Sequence, residues 1–196
     1  MPAIFAIAIL LALTVLSFLQ TTHWKNSITL FENAIKVTEN NCMAHNNLGI
    51  ALFGKGELDK AIFHYKKALN IKPDTSEAIK NLGVALSEKG NFKEAAQYFS
   101  KALVINPDDW DSHYKLGGIL AKRGKFNEAI RHFEEVIRIN SGYAPVYNEI
   151  GIIFAQKGKL EKSNNFFSKA IQLESDCKEA RDNLLILKQI MQQDEK

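Results

Sequence analysis

The stretch Ala44-His45-Asn46-Asn47-Leu48-Gly49 decides the fold, because its last two residues recur at a fixed interval. The glycine returns every 34 residues, at Gly83, Gly117 and Gly151, and each time Leu or Ile precedes it. A second glycine series keeps the same step, at Gly56, Gly90, Gly124 and Gly158. A constant period of this length is typical of arrays of helical repeats.

Two further columns of the repeat alternate small and aromatic residues. The small residues are Ala61, Ala95, Ala129 and Ser163, and the aromatic residues four positions later are Tyr65, Phe99, Phe133 and Phe167. Small residues let two helices approach closely while large apolar ones fill the groove between them. Each repeat therefore predicts two antiparallel helices, joined where the second glycine ends the first helix in left-handed backbone. Pro73 and Pro107 are predicted to stop second helices, and Ser141 and Ser175 replace that proline later in the chain.

This column order resembles the tetratricopeptide repeat family over about residues 42–177. The resemblance implies an all-α fold, a right-handed α-solenoid of about four and a half helix-turn-helix repeats. The family's early aromatic residue is replaced by His45, Ile79 and His113 before Tyr147 restores it, and these changes still fit a packed core. The predicted repeats are 42–75, 76–109, 110–143 and 144–177, with a half repeat at 23–41 and a capping helix at 178–193.

Residues 2–19 contain no charged residue, and only Thr14 and Ser17 interrupt the apolar run. As a helix, this stretch would reach about 27 Å, close to the hydrocarbon thickness of a bilayer. We therefore predict a transmembrane helix that anchors the chain in a membrane. A cleaved signal peptide fits less well, because no Lys or Arg precedes the run and no small-x-small cleavage site follows it. A buried capping helix is the third alternative, but such a helix needs a polar face.

Composition argues against several function classes. The net charge of +3 comes from 25 basic and 22 acidic residues spread along the chain, which predicts no basic face for nucleic acid. No zinc-ligand spacing and no glycine-rich phosphate loop is present. His45 and His113 share one repeat column and His64 and His132 another, which favours packing over chemistry. The sequence therefore predicts no catalytic residue, no cofactor and no metal, and a protein that is not an enzyme.

Function is predicted on the concave face formed by the first helices of the repeats. The candidate peptide-binding residues are Asn46, Asn47, Lys80, Asn81, Tyr114, Lys115 and Asn148. An amide side chain donates and accepts at once, which suits the backbone of an extended peptide. The Asn47 and Asn81 column resembles the asparagine ladder of some long tetratricopeptide superhelices, although it stops after two rungs. Lys80 and Lys115, with Tyr114 beside them, could hold an acidic group of a partner. The alternative is that all of these are solvated polar positions.

The junction after the apolar run, Trp24-Lys25-Asn26-Ser27, resembles the C-terminal part of bacterial polytopic, mannosyltransferase-like membrane proteins that carry tetratricopeptide repeats. That resemblance implies a bacterial inner membrane, and the side of the membrane on which the repeats lie stays open. Two hypotheses follow. The favoured one is a membrane-anchored, non-enzymatic scaffold that binds a protein or peptide. The alternative is the C-terminal part of a glycosyltransferase-type membrane enzyme whose repeats recruit the protein acceptor, and no catalytic residue is carried over.

Overall fold

The computed structural model describes residues 27–194, and within that range the chain forms ten α-helices and no strand. The helices are α1 (Ser27–Val37), α2 (Cys42–Gly54), α3 (Leu58–Ile71), α4 (Ser76–Glu88), α5 (Phe92–Ile105), α6 (Trp110–Lys122), α7 (Phe126–Ile139), α8 (Ala144–Gln156), α9 (Leu160–Leu173) and α10 (Lys178–Asp194). The chain divides into two compact units, 1–91 and 92–196. Helices α1 to α4 belong to unit 1 and helices α5 to α10 to unit 2.

The predicted transmembrane helix at 2–19 and the start of the half repeat at 23–26 lie outside the described residues. Between residues 27 and 194, none of the helices combines the length and the apolar character that crossing a bilayer requires.

The helix ends follow the sequence period. The first helices begin at Cys42, Ser76, Trp110, Ala144 and Lys178, and the second helices end at Ile71, Ile105, Ile139 and Leu173. The predicted left-handed turn is confirmed, because Gly56, Gly90, Gly124 and Gly158 have φ of +78°, +82°, +73° and +69°. Helices α7 and α9 end in the same column as α3 and α5 although serine replaces proline there, so proline is not required to end the second helix. The repeat boundaries themselves stay a prediction, since helix bounds alone do not define where a repeat starts.

The core of unit 1 is built on the close approach of α2 and α3. Tyr65 on α3 is 2% exposed, and a Cβ added to Gly49 on α2 would lie 2.5 Å from its ring. Glycine is therefore required there for the ring to pack against the helix backbone. The start of α2 is fixed by Asn41, whose side-chain oxygen accepts a hydrogen bond from the Ala44 amide at 2.8 Å. Helix α4 packs against both α3 and α2.

Unit 2 repeats this arrangement twice. A Cβ on Gly117 would lie 2.6 Å from the Phe133 ring, and a Cβ on Gly151 would lie 2.6 Å from the Phe167 ring. Ser163 occupies the column that holds alanine elsewhere, and it is fully buried. Its hydroxyl donates to the Gly151 carbonyl at 2.8 Å, so the polar substitution is accommodated without an unsatisfied group.

Helix α10 closes this end of unit 2 by packing against α9 and α8. Its inner side buries Ala180 and Leu187, which are 0% and 2% exposed. Leu185 and Ile186 on its other side are 60% and 55% exposed, so α10 is less polar than a fully solvated cap.

Candidate functional site

In both units the first helices of successive repeats lie side by side. Helix α2 contacts α4 in unit 1, and in unit 2 α8 contacts both α6 and α10. Adjacent first helices present one face, formed by the side chains that do not pack against the second helices. We call these the inner face of unit 1, on α2 and α4, and the inner face of unit 2, on α6, α8 and α10.

Asn46 and Asn81 connect the two helices of the inner face of unit 1. The Asn81 side-chain amide donates to the Asn46 side-chain oxygen at 3.1 Å. Asn46 is 3% exposed, because its side chain is enclosed between α2 and α4. Its amide holds the half-buried side chain of Asn81 in one orientation.

Asn47 differs from its neighbour in both exposure and contacts. It is half-buried and makes no side-chain hydrogen bond within the described part of the chain. Met43 and Ile50 lie on the same stripe of α2, at helical spacing from Asn47, and are 71% and 42% exposed. Asn47 is therefore an accessible amide between two exposed apolar side chains. Lys80, on α4, is half-buried.

The amide pair recurs in unit 2, between Asn183 on α10 and Asn148 on α8. Asn183 donates to the Asn148 side-chain oxygen at 3.0 Å, and Asn148 is 3% exposed. Asn183 lies in the same repeat column as Asn47 and Asn81 but was not among the residues predicted from the sequence. In both units the paired asparagines are 35 residues apart, which is one repeat plus one position.

Tyr114, on α6, belongs to an aromatic cluster with Tyr143 and Trp110. The Tyr114 and Tyr143 rings meet edge to face with centroids 5.1 Å apart, and Trp110 lies 4.8 Å from Tyr143. Burial, and then the Glu149 carboxylate, raises the pKa of Tyr114 well above its usual range. Lys115, the next residue, is exposed to solvent.

Carboxylates dominate the charge near the Tyr114 hydroxyl. Burial, and then Glu179, raises the pKa of Glu149, and Lys122 acts in the opposite direction. Both carboxylates also raise the pKa of Tyr114. Of the two lysines in the predicted site, Lys80 lies in unit 1 and Lys115 in unit 2.

Two histidine pairs were not anticipated from the sequence. His45 and His64 place their Nδ1 atoms 3.0 Å apart, and His113 and His132 place theirs 2.9 Å apart. Each pair joins the first and second helix of one hairpin. A separation of 19 residues matches no ligand or triad motif, and only the register of the hairpin brings the rings together. Within residues 27–194, no group of three His, Cys, Asp or Glu side chains is arranged to hold a metal ion.

Three family models described as tetratricopeptide repeat match the chain, at residues 42–107, 80–145 and 144–177. The comparison with curated proteins gave no match.

Solved structures share the same fold. A crystal structure of MamA is 27% identical, with a TM-score of 0.72, over 76% of this chain and 86% of that one. PilF of Pseudomonas aeruginosa is 21% identical, with a TM-score of 0.69, over 78% of this chain and 69% of that one. MamA of Desulfovibrio magneticus RS-1, from residue 41 to its end, is 19% identical, with a TM-score of 0.66, over 80% and 97%.

Proposed function

Because the chain belongs to the tetratricopeptide repeat family, we propose that it is a protein–protein interaction module whose inner faces bind an extended segment of a partner. Repeat arrays of stacked helix pairs offer extended surfaces for such binding. Neither the sequence motifs nor the side-chain arrangement within residues 27–194 points to a set of residues that would run a reaction, and we propose a scaffold and not an enzyme.

The observation that carries the proposal is the stripe Met43, Asn47 and Ile50 on α2. Met43 and Ile50 are exposed apolar side chains, and the side-chain amide of Asn47 between them makes no hydrogen bond of its own within residues 27–194. An extended peptide offers both apolar side chains and backbone hydrogen-bonding groups to such a surface. The peptide's apolar side chains would pack on Met43 and Ile50, while its backbone would exchange hydrogen bonds with Asn47. Asn81 would extend this contact on α4, since Asn46 already fixes its orientation. Asn46 and Asn148 are positioning residues in this proposal.

The charge of the ligand can differ between the two units. An acidic group of a partner would be attracted to exposed Lys115, as the sequence suggests. Glu149 and Glu179 near Tyr114 would oppose it and favour a Lys or Arg side chain instead. We propose the cationic ligand for the surroundings of Tyr114 and keep the acidic one as the alternative. Fluorescence anisotropy with two peptides of one length and opposite charge separates them, and tighter binding of the acidic peptide would overturn our assignment.

The partner can be identified by pull-down with the full chain followed by mass spectrometry. The decisive variant is Asn47→Ala, and the matched control is Asn70→Ala, an exposed asparagine on the second helix α3. We expect Asn47→Ala to weaken capture and Asn70→Ala to leave it unchanged. Equal capture by both variants would remove the inner face of unit 1 as the binding surface.

We further propose that residues 2–19 anchor the module in a membrane, on the basis of their uncharged, apolar sequence. Alkaline carbonate extraction of cell membranes tests this, because an integral protein stays in the pellet. Leu11→Arg places a charge in the middle of the stretch, at a cost of about 3 kcal/mol on insertion scales, and should release the chain. Release of the parent chain by carbonate would contradict the anchor.

The glycosyltransferase alternative predicts an in-frame run of hydrophobic segments in the genomic DNA upstream of Met1.

A further inference from the structure

The two histidine pairs occupy equivalent places in the first and third repeats. His45 and His113 lie on the first helix of their hairpins, and His64 and His132 lie on the second. We propose that each pair is a pH-sensitive latch, which holds the two helices together through one N–H···N hydrogen bond and releases them when a second proton binds. The latches would act on the hairpins whether or not the inner faces bind a peptide.

The geometry of both pairs is that of a direct hydrogen bond between ring edges. The centroids of His45 and His64 are 5.3 Å apart while their Nδ1 atoms are 3.0 Å apart, so the two nitrogens lie between the ring centres. The corresponding values for His113 and His132 are 5.2 Å and 2.9 Å. A metal-binding pair would aim both lone pairs at a third point, whereas these nitrogens face each other. One Nδ1 must therefore carry hydrogen and the other must not.

A neighbouring carbonyl settles the protonation pattern of the His113–His132 pair. The Nε2 atom of His113 lies 3.0 Å from the Pro107 carbonyl oxygen, which can only accept, so Nε2 carries hydrogen. In the neutral ring Nδ1 then accepts, and His132 Nδ1 is the donor. Repeat four supports this assignment, because Tyr147 replaces His113 and its hydroxyl donates to the equivalent Ser141 carbonyl at 2.9 Å.

The hydrogen bond between His113 and His132 survives one added proton but not two. A first added proton can bind Nε2 of His132, and the His132 Nδ1–H still donates to His113. A second proton has to bind Nδ1 of His113, which then places two N–H groups and two positive charges face to face. The bond becomes a repulsion between α6 and α7, at the point where it had joined them.

Burial and the charged groups around the pairs together lower the pKa values of His45, His64 and His132, and the nearby carboxylates only partly oppose that shift. Burial, and then Lys67, lowers the pKa of His45. Burial, and then His45, lowers the pKa of His64, against the attraction of Glu32 on α1.

In unit 2 the pKa of the paired histidine His132 is lowered as well. Burial, and then His113, lowers the pKa of His132, and the carboxylates Glu128 and Glu135 on α7 oppose that shift. Histidines with a lowered pKa stay neutral in the folded chain at a pH where the unfolded chain already binds protons. The stability that these histidines contribute is therefore fully present above their unfolded pKa of about 6.5. It decreases as the pH falls below that value, and the decrease levels off below the folded pKa.

The array itself shows that histidine is not needed at these positions for packing. In repeat four the equivalent residues are Tyr147 and Phe166, whose ring centroids lie 6.4 Å apart. Neither side chain is an imidazole, so the pair provides a matched replacement taken from the same chain. Repeats with and without a latch alternate along the sequence, since Ile79 and Tyr98 occupy the two columns in repeat two.

The test compares the full chain with His113→Tyr/His132→Phe, which copies the pair of repeat four. Thermal unfolding is followed by circular dichroism at about pH 8 and at about pH 5. We expect the parent to lose unfolding temperature on acidification and the variant to lose less, since each unit of lowered pKa changes the folding equilibrium about tenfold. Equal losses in both proteins would overturn the proposal.

A second variant keeps the test decisive if the double substitution fails to fold. In His132→Asn, the amide can still donate to His113 Nδ1 but cannot take up a proton. Nitrogen-15 NMR of the histidine side chains in the parent gives a direct readout, because a latch requires hydrogen on Nε2 of His113 and on Nδ1 of His132. The opposite pattern, or an unchanged acid loss in His132→Asn, would refute the latch.

Discussion

Two adjacent glycines on α6 offer a sharp test of how the hairpins pack. Gly117 and Gly118 both lie inside the helix, so replacing either by alanine brings the same gain in helix propensity, about 1 kcal/mol. Their surroundings differ. A Cβ on Gly117 would lie 2.6 Å, 2.8 Å and 3.1 Å from three atoms of the Phe133 ring, whereas a Cβ on Gly118 would meet no atom within 4 Å.

The expected magnitudes follow from that difference. Phe133 is fully buried, and its rigid ring cannot turn aside as a flexible chain end would. Overpacking of this kind costs about 1–3 kcal/mol. Gly118→Ala should therefore be about 1 kcal/mol more stable than the parent. Because the propensity gain is common to both variants, Gly117→Ala should be about 1–3 kcal/mol less stable than Gly118→Ala.

Urea unfolding of both variants, followed by circular dichroism, measures the difference. Combining Gly117→Ala with Phe133→Leu in a double-mutant cycle tests the cause, since the smaller side chain should cost less when position 117 carries alanine than when it carries glycine. Equal stability of the two single variants would refute the claim that the ring demands glycine at this contact. A cycle without coupling would show that the cost arises elsewhere.

Three further predictions concern polar groups. Asn81→Ala should lower the free energy of unfolding by about 1–3 kcal/mol, because it leaves the buried Asn46 oxygen without its donor, and Asn47→Ala should stay within about 0.5 kcal/mol in the same urea titration. Glu149→Gln should raise the unfolding temperature at neutral pH, since burial raises the pKa of that carboxyl and penalises its charge. The advantage should shrink as the pH falls through the folded pKa toward the unfolded value of 4.5, and a pH-independent gain would contradict this cause. Ser163→Ala restores the alanine column and should change stability by only about 1 kcal/mol, so a larger loss would show that its hydrogen bond does more than satisfy a buried hydroxyl.

The fold could be predicted from the sequence because its causes are local and repeated. The small residue, the aromatic residue and the two glycines recur at one interval, and each has a steric reason to occupy its column. A glycine facing a buried ring, as at Gly117, leaves no choice of residue, and a turn with φ near +73°, as at Gly124, strongly favours glycine. Each of these local preferences is weak alone, but because all of them recur at the same interval, together they predict where each helix begins.

The candidate site could be predicted only in outline. Asn46 and Asn47 are adjacent residues of one type on the helix that the sequence selected, and sequence alone cannot rank them. A rotation of about 100° per residue turns Asn46 toward α4 and leaves Asn47 accessible. Asn183 was missed because it lies in the predicted capping helix, where no binding residue was expected.

The sequence by itself determined the helical repeat, its period and the positions of its turns, since these depend on backbone sterics within one repeat. Only the tertiary structure decided which polar side chains meet. The pairing of His113 with His132 depends on the register of two helices, and that of Asn148 with Asn183 depends on how successive repeats stack. Such contacts are set by packing across the chain, where a shift of one residue would separate the partners.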